Sequence, residues 1–263
     1  MGERSKMSIY QHFRKEEHAF IDQVLSWREL VLTQYSPKNT DFLDPREQEI
    51  VRQIIGNDLE IKVELFGGHS SSERKRAIVS PHYFIPEVDD FQLSLFQLNY
   101  PSKFVSIDHR KILGSLMSLG LKRSKFGDIL TNGDQVQIVV AKEISDYIKM
   151  NLQAIGKATI SIDEISFSTI ITAEEIWYEQ AITVSSLRLD VVLSAITNLS
   201  RQKVQVLIQS GVVKVNWKTI DQPAFECKED DVLSVRGYGR SKLITIEGKT
   251  KKEKWRIIVG KQK

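Results

Sequence analysis

Basic side chains recur in the stretch from Ser186 to Lys242, and the chemistry open to them is phosphate binding. Arg188, Arg201, Lys203 and Lys214 stand among apolar residues that are spaced like the inner faces of two short helices and a strand. This spacing leaves the four cations outside an apolar core. There they could lie against the phosphates and 2′-hydroxyls of A-form RNA.

Other kinds of site chemistry find little support in the residue pattern. Asp190 is interpreted as a structural partner of a nearby arginine or backbone amide rather than as a catalytic acid. Cys227 has no histidine near it in sequence, and neither a GxSxG nor a GxxxxGK[ST] motif occurs. We therefore predict no catalytic residue, no metal site and no cofactor. The histidines form no i,i+4 pair and lie at His12, His18, His69, His82 and His109.

The charge is divided unevenly along the 263 residues. From Met1 to Gln180 there are 21 Lys and Arg against 26 Asp and Glu, a net charge of −5, whereas residues 181–263 carry 16 against 8, a net charge of +8. A basic C-terminal third favours a nucleic-acid partner. Since lysines crowd the end of the chain, residues 247–263 are expected to form a solvated basic tail.

The hydrophobic periodicity predicts an α+β protein of three small domains. Residues 1–82 read as an α/β unit in which Asp44-Pro45 opens a helix that Gly56 ends. Residues 83–168 follow the order βαββαβ, with Asn132-Gly133 as a hairpin turn, which is a ferredoxin-like arrangement that RNA-recognition modules also use. A segment at 170–180 is expected to link it to the last domain, 181–246.

The last domain is predicted from its caps and its alternation. Ser200 can cap a helix over 201–209, and Gly211 follows where a left-handed residue is needed. Val212–Asn216 and Val232–Val235 then alternate as strands, and the second runs into Arg-Gly-Tyr-Gly-Arg at 236–240.

The order RLDxxL, SRxxxxxLIxxGxVxVN, an acidic turn and RGxGR resembles the S4 RNA-binding domain over about 60 residues. Two turns depart from that family: Asp230-Asp231 replaces its usual Gly-Asp, and Asn216-Trp217 replaces its usual Asn-Gly. The resemblance implies a set of RNA-contacting residues, with the last two the weaker candidates: Arg188, Ser200, Arg201, Lys203, Lys214, Asn216, Arg236 and Arg240.

The layout of the whole chain resembles the YlmH-like proteins of Gram-positive bacteria, whose middle domain is regarded as RNA-binding. The candidates there are Arg110, Lys122, Arg123 and Lys125. The resemblance implies a non-catalytic cytoplasmic protein that binds ribosomal RNA and tRNA on stalled large ribosomal subunits, in ribosome-associated quality control. It also implies a link to cell division through genomic neighbourhood.

Two alternative functions stay open beside this one. The first is an RNA-modifying enzyme such as a pseudouridine synthase, with an unrecognised site in the acidic N-terminal domain. The second is a cell-division-linked adaptor that binds protein through its acidic part. For the partners we expect RNA and the large ribosomal subunit, no membrane and no small-molecule substrate, and we expect the chain to be a monomer.

Overall fold

A computed structural model describes residues 9–56, 58–172 and 177–262, which form two compact units, 9–172 and 177–262. The apolar spacing also predicts a helix from about Ser8 to Tyr35; its first residue and part of the predicted linker 170–180 lie outside the described residues. The first unit holds two sub-structures that share contacts, an N-terminal one and a central one.

The N-terminal part packs two helices on a three-stranded antiparallel sheet of order β1-β3-β2. Asp44 accepts the Glu47 N–H and Pro45 takes the first helical position, as the sequence predicts. Gly56 ends that helix, which confirms its predicted stop. The elements are α1 His18–Gln34, β1 Lys38–Leu43, α2 Pro45–Ile55, β2 Ile61–Phe66 and β3 Lys75–Pro81.

The central part has an antiparallel sheet of order β5-β6-β4-β9, which confirms the ferredoxin-like prediction. Asn132 and Gly133 join the predicted hairpin, with Gly133 at φ 57°. A small two-stranded ladder precedes the last strand. The elements are β4 Leu93–Asn99, α3 His109–Ser118, β5 Phe126–Asn132, β6 Gln135–Ala141, α4 Ser145–Asn151, β7 Ala154–Ile155, β8 Ala158–Thr159 and β9 Ser161–Ile165.

The second unit packs two helices on a six-stranded sheet of order β10-β15-β14-β13-β11-β12. Val204, Ile208, Val213 and Val215 are among the residues of its apolar core. Its elements are β10 Trp177–Val184, α5 Leu189–Thr197, α6 Arg201–Gln209, β11 Val213–Val215, β12 Lys218–Thr219, β13 Val232–Val235, β14 Gly239–Lys249 and β15 Trp255–Gln262.

One sequence expectation about elements is wrong, and one strand was not predicted. Residues 247–262 are not a solvated tail, because β14 runs to Lys249 and β15 lies between β14 and β10 in the sheet. The prediction of a tail rested on the lysines, several of which lie in the turn 250–254. The residues that follow, Trp255–Val259, alternate as in a strand and bury Ile257 and Val259. Strand β1 was not predicted, since Lys38–Leu43 shows little apolar alternation and owes its conformation to its pairing with β3.

The contact between the two parts of the first unit gives a test of packing. A side chain at Gly127 of β5 would place its Cβ 2.7 Å from Cε1 of the buried Phe42 and 3.1 Å from Cβ of Val139. We expect Gly127→Ala to lower the free energy of unfolding by about 1–3 kcal/mol, because the rigid ring must move. Urea unfolding measures it.

Gly114 in helix α3 supplies the matched control. Among the described residues nothing lies within 4 Å of a Cβ at this position. Gly114→Ala should therefore raise the free energy of unfolding by about 0.5–1 kcal/mol through helix propensity. Equal effects of the two substitutions would contradict the proposed close packing at Gly127.

Candidate nucleic-acid interface

A buried carboxylate organises the first turns of α5 and α6. Asp190 is 0% exposed and belongs to the first turn of α5, where its backbone N–H donates to the Pro223 carbonyl over 3.1 Å. Its Oδ1 accepts Nε of Arg188 at 3.1 Å, and its Oδ2 accepts a terminal nitrogen of Arg201 at 2.7 Å and Nε2 of Gln205 at 2.8 Å. The interpretation of Asp190 as a structural partner of arginine is confirmed.

These hydrogen bonds stabilise the ionised form of Asp190. Burial favours the neutral acid, but the hydrogen bonds from Arg188, Arg201 and Gln205 outweigh this, so the pKa of Asp190 lies well below its ordinary value. In return, the bond and charge of Asp190 raise the pKa of Arg188. The site is therefore a fixed anion that holds two fixed cations.

The two arginines, which we call the arginine pair, keep much of their guanidinium surface in solvent. The side chains of Arg188 and Arg201 are 42% and 52% exposed, while one edge of each is bonded to Asp190. A guanidinium fixed in this way can offer its remaining N–H donors to a phosphate without ordering a long side chain first.

The start of α6 adds two more of the predicted residues to this surface. Ser200 caps the helix, its Oγ accepting the Lys203 N–H over 3.4 Å, and both residues are exposed. The prediction of the helix and its cap is confirmed. Together the S4 helix surface comprises Arg188, Ser200, Arg201 and Lys203.

Lys214 and Arg240 lie elsewhere in the second unit. Val213 and Val215 are buried, so Lys214 between them points away from the face that the core covers. Arg240 pairs with Ser234, which in turn pairs with Lys214, so all three share that outer face. Arg236 is exposed just after β13. The structure thus separates Lys214 and Arg240 from the arginine pair.

Asn216 is exposed, and its side-chain amide is also bonded within the fold. Its Nδ2 donates to Asp231 over 2.8 Å and its Oδ1 accepts the Val232 N–H at 2.9 Å. These bonds give the side chain a structural role. The contact of Asn216 with RNA stays a prediction.

The four basic candidates of the central part divide in two. Arg123 donates to the Phe126 carbonyl over 2.6 Å, and Lys125 Nζ lies 2.5 Å from Asp41 and 2.7 Å from Glu143. Arg123 and Lys125 are thus bonded within the first unit and only partly exposed, and their contact with RNA stays a prediction. Arg110 and Lys122 are exposed.

The sheet face that RNA-recognition modules use for RNA is covered in this chain. Gln137 on that face of β6 is 2% exposed, accepts the Ile171 N–H at 2.8 Å and donates to the Thr169 carbonyl at 3.0 Å. Phe42 of β1 packs against the same face near Gly127. An RNA contact of the central part must therefore use its edges and loops.

Several features bear on chemistry other than binding. Burial, followed by the charges of Asp231 and Glu226, raises the pKa of the Cys227 thiol to about 12, which makes it a poor nucleophile. Among the described residues no group of three or more His, Cys, Asp or Glu side chains could hold a metal ion. No helix in the described ranges is long and apolar enough to cross a bilayer.

The sequence pattern missed two residues that belong to these surfaces. Gln205 is the fourth residue after Arg201 on α6, so the helical repeat could have placed both on the side of Asp190. Trp217 lies under the guanidinium of Arg240, whose Cζ is 5.8 Å from the ring centroid. No local pattern joins residues 217 and 240.

Comparison with known proteins matches three domain families along the chain. The family described as "YlmH, N-terminal" matches residues 16–84, "Putative RNA-binding domain in YlmH" matches 86–169, and "S4 domain" matches 187–233.

The chain is also similar to whole proteins, of which one is known by sequence and one by its solved structure. "Ribosome-associated protein quality control protein P2" of Bacillus subtilis (strain 168) is 48% identical over 256 residues, which span 97% of this chain and 99% of that protein. The solved structure "Cell division protein ylmH from Streptococcus pneumoniae" is 32% identical, with a TM-score of 0.54 over 62% of this chain and 99% of that one.

Proposed function

The chain belongs to the YlmH family, and on that premise we propose that it is a non-catalytic protein that binds ribosomal RNA and tRNA on stalled large ribosomal subunits. The resemblance drawn from the sequence is confirmed. The similarity to a ribosome-associated quality control protein and the S4 domain support an RNA-binding role on the ribosome.

The observation that carries the proposal is the arginine pair on Asp190. One buried carboxylate fixes Arg188 and Arg201 at the start of adjacent helices, with exposed Lys203 beside them. This arrangement suits neighbouring phosphates of a folded RNA, which are fixed in space and need fixed cations. Asp190 is buried and hydrogen-bonded, so it is not presented to a substrate as a nucleophile, and its lowered pKa disfavours a role as a proton donor.

The proposed binding is electrostatic and depends on salt. Each phosphate that the S4 helix surface neutralises would release a counterion, so the affinity should fall steeply with ionic strength. Exposed Arg110 and Lys122 would add a second contact from the central part, outside its covered sheet face. We also infer a cytoplasmic monomer that needs no cofactor and acts on no small molecule.

The proposal predicts the behaviour of a triple variant, Arg188→Ala, Arg201→Ala and Lys203→Ala. We expect its affinity for purified large ribosomal subunits to fall by about 10- to 100-fold, with a salt slope smaller by about 2 to 3. Cosedimentation over a series of salt concentrations measures both quantities. A circular dichroism melt checks that the variant stays folded, because Asp190 loses two partners.

The matched control removes the same charge elsewhere. Lys15, Arg52 and Lys157 are exposed, belong to the first unit and are not part of the S4 helix surface. Their triple alanine variant should bind subunits within about threefold of the unsubstituted chain. If the S4 variant also binds normally, the RNA site lies elsewhere.

A division-linked adaptor is the second candidate, because the solved relative is described as a cell division protein. The two functions predict different behaviour at low salt. An adaptor without ribosome affinity should stay in the supernatant, whereas the proposed RNA-binding protein should sediment with large subunits.

A further inference from the structure

A row of polar side chains crosses the outer face of the second unit's sheet, the face opposite the apolar core. Lys214 of β11 pairs with Ser234 of β13, and Ser234 pairs with Arg240 of β14. Directly paired residues on one face lie about 5 Å apart, so the row spans about 10 Å between the two cations. The S4 helix surface is built from the helix ends and does not include this row.

Next to this row the chain makes an unusual turn. Asn216 and Trp217 form the two-residue connection between β11 and β12, with φ of 48° and 63°. Both values are left-handed, and such a turn favours Asn-Gly because glycine has no Cβ to clash. Tryptophan is disfavoured there, and its Nε1 is buried without a hydrogen-bond partner among the described residues.

The strained tryptophan is held against a cation. The Cζ of Arg240 lies 5.8 Å from the centroid of the Trp217 ring. Both side chains are partly exposed. Strained residues that persist at a surface tend to mark functional positions, and bases of unpaired RNA stack on indole rings and on guanidinium planes.

We propose that Trp217 and Arg240 form a stacking platform for an unpaired base of RNA, with Lys214 placed for the adjoining phosphate. The inference rests on the proposed RNA-binding function and extends it. The S4 helix surface binds phosphates of the folded RNA, and the stacking platform takes a nucleotide that leaves the helix. The row itself consists of two cations and a serine, Lys214, Ser234 and Arg240, and so carries no negative charge toward a phosphate.

The substitution Trp217→Gly separates binding from folding. Glycine is the residue that this turn prefers, so the loss of the ring is accompanied by relief of the backbone strain. We expect a melting temperature close to that of the unsubstituted chain. The affinity for a short single-stranded oligoadenylate should fall about tenfold, as expected for the loss of one stacked base.

Two companion variants show which property matters. Trp217→Phe keeps an aromatic ring and should bind the oligoadenylate within about threefold of the unsubstituted chain. Arg240→Lys keeps the charge and loses the planar guanidinium, so its affinity should fall while its salt slope stays unchanged. If Trp217→Gly lowers the melting temperature, Arg240→Lys tests the stacking platform in its place.

A fully paired RNA duplex of about 16 base pairs provides the control ligand. The platform variants should bind it normally, whereas the Arg188/Arg201/Lys203 variant should bind it weakly. If Trp217→Gly weakens the binding of duplex and single strand equally, the stacking platform is overturned. It is also overturned if neither Trp217→Gly nor Arg240→Lys weakens the binding of the single strand. Both outcomes leave the proposed function intact. Normal duplex binding by the S4 variant would instead count against the proposed function.

Discussion

Replacing Asp190 by alanine is expected to destabilise the second unit by about 2–3 kcal/mol, because hydrogen bonds to a charged group are lost, and to weaken RNA binding as well. The carboxylate is 0% exposed and accepts hydrogen bonds from Arg188, Arg201 and Gln205. The substitution removes these hydrogen bonds, and the two arginines, which are 42% and 52% exposed, lose their common counter-ion. The two arginines would then repel each other, and their guanidinium groups would no longer be fixed in place.

Urea unfolding followed by circular dichroism measures the stability change, and cosedimentation with large subunits measures the binding. Glu179→Ala is the control, because Glu179 is an exposed acid of the same unit. We expect the control to change the free energy of unfolding by less than about 0.5 kcal/mol. If Asp190→Ala unfolds at the same urea concentration as the control, the pair is not what orders the helix starts.

The pH dependence gives the same prediction a second readout. The folded pKa of Asp190 is lowered, so its ionised form stabilises the fold at pH values above the unfolded pKa of about 3.9. That contribution is lost as the pH falls below this value toward the folded pKa. Asp190→Asn should therefore flatten this part of the acid unfolding curve.

Capping and turn rules predicted the elements whose ends are fixed by residues close to them in the sequence. Asp44 and Pro45 fix the start of α2, Ser200 fixes the start of α6, and Asn132-Gly133 fixes the β5–β6 turn. Strand β1 could not be found in this way, because it exists through its partner β3. Strand β15 is a different case, because Ile257 and Val259 form a local alternation that was overlooked beside the lysines that precede it.

The sequence predicted residues of the candidate site, but it predicted the role of only some of them. The sequence indicated Arg188 and Arg201, and an arginine partner for Asp190 follows from their nearness in the motif. It could not tell that Arg123 and Lys125 are bonded within the fold, because neither a bond to a main-chain carbonyl nor a distant acidic partner leaves a pattern in the sequence. The Phe126 carbonyl serves Arg123, whereas Lys125 needs Asp41, which lies 84 residues away.

The largest effect in the first unit is expected from Arg76→Ala, at about 3–5 kcal/mol of unfolding free energy. Arg76 of β3 is 5% exposed, and its Nε donates to the Thr40 carbonyl over 2.5 Å. One terminal nitrogen donates to the Gln92 carbonyl at 2.9 Å and lies 3.3 Å from Glu143. The substitution removes these bonds together and leaves a cavity.

The position of these partners predicts where the damage should appear. Thr40 belongs to β1, Gln92 precedes β4, and Glu143 precedes α4, so Arg76 joins the N-terminal part to the central one. Amide hydrogen exchange should therefore rise in β1 and β3 of Arg76→Ala and stay unchanged in the second unit. Arg52→Ala, which removes an exposed arginine of α2, is the control. Unchanged exchange in β1 and β3 would mean that the apolar packing of Phe42 holds the two parts together without Arg76.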